Sequence, residues 1–69
     1  MKILVVDDDP AIRMLYKEEL EEEGYTVVVA SSGEEALRLF DEVEPDLVTL
    51  DILMPDMDGI QVLRKMKEK

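Results

Sequence analysis

Apolar residues along this chain alternate between continuous runs and helical stripes. Ile3-Leu4-Val5-Val6 is unbroken and, but for Leu4, β-branched, the pattern of a strand covered on both faces in a parallel sheet. Asp9-Pro10 follows as an N-cap with proline at the first helical position, and Ile12, Leu15, Tyr16, Glu19 and Leu20 recur at three-and-four spacing as far as Gly24. That spacing predicts a first helix with this stripe turned inward. Residues 25–30, Tyr25 to Ala30, carry Thr26-Val27-Val28-Val29 and read as a second strand. Ser31-Ser32-Gly33-Glu34-Glu35 then offers two overlapping capping boxes for a second helix bearing Ala36, Leu37, Phe40 and Val43, which Glu44-Pro45 ends. Leu47-Val48-Thr49-Leu50 predicts a third strand running into Asp51. Beyond a turn-rich loop at 54–59, Asp58 is expected to cap a last helix whose stripe is Ile60, Leu63 and Met66.

The element order is therefore βαβαβα, and helices joined by such short links imply right-handed crossovers onto a parallel sheet. No linker, low-complexity segment or internal repeat interrupts the order, so residues 1–69 are expected to be one α/β domain.

Composition limits the chemistry. A single core of 69 residues supplies little net stability, so a staple or a partner is expected. With no cysteine and no histidine there is no disulfide, thiolate site or imidazole ligand, and any bound metal must be a hard ion held by oxygen. Eighteen acids against eight bases give a net charge of −10, which disfavours nucleic acid and anionic membrane as direct partners. No apolar run is long enough to span a bilayer, and Met1-Lys2-Ile3 lacks the pattern of a signal peptide, so a cytoplasmic protein is expected.

The acids fall at significant places. Asp7, Asp8 and Asp9 follow the first strand directly, and Asp51 follows the third. Strands of a parallel sheet all end on one edge, where ligands of open α/β sheets bind. If the first and third strands are neighbours, about 4.8 Å apart, Asp7 or Asp8 can share one ion with Asp51, and a divalent cation turns their mutual repulsion into binding. Asp9 and Asp58 are better explained as helix caps. Asp7, Asp8 and Asp51 taken singly would read as solvated loop ends; together, at two strand ends, they point to a magnesium cup. A calcium loop at Asp56-x-Asp58-Gly59 fails on spacing, because Met54 and Lys65 would occupy its first and twelfth positions. No GxGxxG or GxxxxGK[ST] follows the first strand, and nucleophile systems that need histidine or cysteine are excluded.

The stretches LVVDDDP at 4–10, GYTVVVASSGEEAL at 24–37 and PDLVTLDILMPDMDG at 45–59, in this order, resemble the receiver domain of two-component response regulators. The resemblance implies a flavodoxin-like fold, with this chain matching its first half: a three-stranded parallel sheet in the order 2-1-3. It implies that Asp51 is the phosphoacceptor, a carboxylate nucleophile taking phosphoryl from a phosphohistidine on a sensor histidine kinase. It further implies that Asp8 ligates Mg2+ directly, that Asp7 holds it through water, and that Asp51 and the backbone carbonyl of Leu53 complete the protein ligands. On this reading the chain is a phosphoacceptor and not an enzyme. An aspartyl-phosphate phosphatase would want an acid two residues beyond the nucleophile, where Leu53 stands.

The family's fourth and fifth strands, with its switch residues and its phosphoryl-contacting lysine, have no counterpart in the sequence, so a metal cup and a nucleophile are the functional parts expected here. With three strands in the order 2-1-3, the third is an edge, and self-association is expected, most simply as a homodimer. The competing expectation is an autonomous half-fold that assembles into a flavodoxin-like homodimer without signalling activity.

Overall fold

The computed structural model describes residues 1–50 and 59–68. Six elements follow one another: β1 (Lys2–Val6), α1 (Pro10–Glu22), β2 (Thr26–Ala30), α2 (Gly33–Val43), β3 (Leu47–Leu50) and α3 (Gly59–Lys67). They form the expected three-stranded parallel sheet, in the order β2-β1-β3. The central strand is the apolar run, and Ile3, Leu4, Val5 and Val6 are all buried. Because side chains alternate across a strand, the run feeds two cores. Leu4 and Val6 pack with Ala30, Ala36, Val62 and Met66 beneath α2 and α3. Ile3 and Val5 pack with Val27, Leu20 and Val29 on the face that α1 covers.

The helix ends explain where the strands begin and stop. Asp9 is extended and its side chain accepts the Ala11 N–H, with Pro10 opening α1, as predicted. At the other end the Tyr25 N–H donates to the Leu20 carbonyl and the Gly24 N–H to that of Glu21, while Gly24 at φ +94° turns the chain back toward β2. That bond pattern is a Schellman cap, and the left-handed turn is open to glycine without a Cβ penalty. Of the two candidate capping boxes, the one at Ser32 is used: the Glu35 N–H donates to Ser32 Oγ, and the Glu35 carboxylate accepts the Ser31 N–H. α2 ends at Glu44, held left-handed at φ 52° just before Pro45.

Two expected stripes are corrected. Leu15 and Tyr16 are 46 % and 45 % exposed, and α1 has no fully buried residue. Ile12 and Leu20 are half-buried while Leu15 and Tyr16 stay exposed, so among the described residues the inward face of α1 is narrower than its apolar stripe. On α3, Ile60 is 44 % exposed, whereas Val62 is fully buried and Met66 nearly so. The inward stripe follows the four-residue step from Val62 to Met66 and not the three-residue steps from Ile60, which drift around the helix. Leu63 and the expected cap Asp58 lie outside the described side chains.

Register positions the site. At the start of the sheet the Lys2 N–H donates to Asp46 Oδ2 and the Asp46 N–H to the Lys2 carbonyl, both at 2.8 Å. This reciprocal pair begins a ladder that runs Ile3↔Leu47, Leu4↔Val48, Val5↔Thr49, Val6↔Leu50. A slip of one residue would turn Val48 and Leu50 out of the core.

Candidate functional site

Parallel pairing carries β1 and β3 to a common finish. Val6 and Leu50 are partners; from one the chain continues into Asp7 and Asp8, from the other into Asp51. Asp51 and Leu53 lie outside the described residues, as does Pro55. Of the four expected magnesium ligands, the structure therefore describes Asp7 and Asp8. Among the described residues no three ligating side chains cluster, and the described part of the cup is a pair.

The pair is unequal. Asp7 is half-buried and held at three points: its N–H donates to the Ala30 carbonyl at 3.1 Å, its carbonyl accepts from Arg13 Nη1 at 2.9 Å, and its Oδ1 accepts the Asp9 N–H at 2.9 Å. Its Oδ2 accepts no hydrogen bond from another described residue. Asp8 is exposed and makes no hydrogen bond or ion pair with another described residue. One carboxylate is thus fixed by the turn and the next is free to close on a ligand.

The carboxylates themselves offer only oxygen. Aspartate carboxylates at a strand end, in no ion pair with a basic side chain among the described residues, suit magnesium, which keeps much of its water and needs only a few protein oxygens. Asp7 with one free oxygen fits a contact through water, and Asp8 with two fits direct ligation. A depression of about 270 Å³ opens beside them, lined by Val6, Asp7, Tyr16, Thr49 and Leu50. Tyr16 of α1 reaches it, a feature that the helical stripe alone did not reveal. A hollow of about 330 Å³ at Phe40, Asp41, Glu44 and Pro45 lies at the C-terminal end of α2, away from these strand ends.

Charge elsewhere is handled locally and at the surface. Among the described residues the ion pairs include Lys17–Glu21 within α1 and Arg38–Glu35 and Arg38–Glu42 within α2, all at the surface. Pairs of this kind contribute little, and none touches Asp7 or Asp8. No described helix is long and apolar enough to cross a membrane.

Comparison with known proteins gives a consistent result. The sequence profile of the response regulator receiver domain matches residues 3–69. The transcriptional regulatory protein TrcR of Mycobacterium tuberculosis is 47 % identical over 68 residues, covering 99 % of this chain and 26 % of that protein. Sporulation initiation phosphotransferase F of Bacillus subtilis is 47 % identical over 66 residues, covering 96 % of this chain and 53 % of that protein. The chain spans about a quarter of the length of the one and about half of the other. Among solved structures, the response regulator TrrA of Thermotoga maritima in complex with Mg(2+)-BeF superposes with a TM-score of 0.92 at 52 % identity, over 97 % of this chain and 58 % of that one. A complex of the histidine kinase ThkA with TrrA gives 0.92 at 53 % identity, over 99 % and 59 %.

Proposed function

This chain belongs to the response regulator receiver domain family, and from that premise we propose that it is a phosphoacceptor module that takes a phosphoryl group on Asp51 with the help of magnesium. Asp8 directly, Asp7 through water, Asp51 and the backbone carbonyl of Leu53 would hold the ion. The observation that carries the reading is the Val6↔Leu50 pairing, which ends β1 and β3 together just where the sequence supplies Asp7, Asp8 and Asp51.

The residues divide the work. An Asp51 carboxylate oxygen attacks phosphorus, an O–P bond forms as the donor's N–P bond breaks, and the imidazole leaves with the electron pair and takes up a proton. Magnesium, when bound, neutralises charge on the nucleophile and on the transferring oxygens. Asp7, pinned by three hydrogen bonds, keeps the floor of the cup rigid, and Asp8 supplies the adjustable ligand. The donor is a phosphohistidine on a sensor histidine kinase, a partner supported by the solved complex of the related TrrA with a histidine kinase. Direct contact with nucleic acid is opposed by the net charge of −10, and the reading places the module in the cytoplasm.

Incubation with Mg2+ and acetyl phosphate, followed by intact mass, tests the reading. One phosphoryl adduct is expected, absent with chelator and absent in Asp51→Asn. A folded chain that gains no adduct, or an adduct that persists in Asp51→Asn, would overturn it.

A second reading, self-association, is favoured by one observation: β3 is the outer strand of the described sheet and its first residue, Leu47, is 47 % exposed. An apolar outer strand is a template for pairing with another copy. Sedimentation at micromolar concentration is expected to give a dimer; a monodisperse monomer refutes this reading.

A further inference from the structure

Arg13 stands three residues into a helix that begins just after three aspartates, yet it forms no ion pair with any of their carboxylates. It is half-buried, and its Nη1 donates instead to the backbone carbonyl of Asp7 at 2.9 Å. A helical side chain leans toward the N-terminus of its own helix, so Arg13 reaches back across the β1–α1 turn.

The choice of acceptor has two consequences. The Asp7 carbonyl belongs to the same rigid peptide plane as the Asp8 nitrogen. Fixing that oxygen with Arg13, while the Asp7 N–H is fixed to Ala30, sets the direction in which the chain leaves Asp7 and hence where Asp8 begins. Because the guanidinium donates to a neutral carbonyl, no cation among the described residues pairs with Asp7 Oδ2 or with either Asp8 oxygen, so none would have to be displaced by an incoming metal.

We propose that Arg13 is a positioning residue of the divalent-cation site, aiming Asp8 through the Asp7–Asp8 peptide plane. This rests on the magnesium reading given above. A role as a mere counter-charge makes the opposite prediction, since removing a cation beside a cluster of acids would tighten cation binding.

Magnesium titration of the chain, of Arg13→Ala and of Arg13→Lys, followed by amide resonances, separates the two. Arg13→Ala is expected to bind Mg2+ about tenfold more weakly, the scale typical for residues that orient metal ligands. Arg13→Lys, which still offers a donor to the carbonyl, is expected to recover most of that loss. Unchanged or tighter binding in Arg13→Ala would overturn the proposal, as would equal weakening in both variants. A metal-free readout stands beside it: the Asp9 amide, bonded to Asp7 Oδ1, should exchange severalfold faster in Arg13→Ala and return in Arg13→Lys, with the Leu4 amide unmoved. If the unsubstituted chain binds no Mg2+, the magnesium reading falls by itself, and Asp9 exchange still decides whether Arg13 sets this turn: no change in exchange overturns that role.

Discussion

The two ends of the sheet are built on opposite principles. At the N-terminal end the groups that open the sheet are tied to one another: Lys2 and Asp46 exchange two hydrogen bonds, and Lys2 Nζ donates to the Val43 carbonyl at 3.0 Å. At the C-terminal end Asp7 is tied down, but Asp8 beside it has no partner among the described residues, and no basic side chain pairs with either carboxylate. One end closes the ladder in register; the other ends β1 at two acids, one tied down and one without a partner among the described residues. The difference teaches that stability and chemistry are separated along the strands, so substitutions at the two ends should have different signatures.

The largest effect should come from the element that joins both ends. Leu4→Ala in the fully buried centre of β1 is expected to cost about 3 kcal/mol, a large share of what so small a core provides. Urea unfolding should show the folded baseline lost or nearly so, together with magnesium binding. At the closed end, Asp46→Ala removes the acceptor for the Lys2 N–H and is expected to cost about 1 kcal/mol. The drop should appear as a lower midpoint in urea with the magnesium response retained. Beside it, Glu44→Gly relieves a left-handed non-glycine residue and should raise stability by about 0.5–1 kcal/mol, read in the same experiment. The smallest change belongs to the open end. Asp8→Asn removes like-charge repulsion and should raise the metal-free melting midpoint by about 2–4 °C, while cancelling the rise that millimolar Mg2+ gives the unsubstituted chain. A metal-free midpoint that falls in Asp8→Asn would place that carboxylate among the stabilising groups and erase the contrast between the ends.

Much of this organisation is written in the chain. The run from Ile3 to Val6, the cap at Asp9-Pro10 and the box at Ser32 and Glu35 carry local signals strong enough to place β1, α1 and α2, and the acids after Val6 mark the candidate site. The α1 and α3 stripes were less legible, because a helix shows which residues are apolar but not how much neighbouring structure covers them. Leu15 and Tyr16 satisfy the spacing and remain exposed; Val62 lies one step from the chosen phase and is buried. The locking of Asp7 was not legible at all. Its three bonds join β2, the turn and the first turn of α1 to one residue, and a main-chain acceptor for an arginine leaves no mark in residue spacing.

The central claim is that the finishing ends of β1 and β3 grip one divalent ion. Manganese, a paramagnetic stand-in for magnesium, tests it most directly through selective broadening of backbone amides. The account predicts that substoichiometric Mn2+ broadens the amides of Asp7, Asp8 and Asp51 together, with those of Lys2 and Asp46 at the far end left sharp and Mg2+ reversing the effect. Broadening confined to one strand end, or spread evenly over the acidic surface, would contradict it.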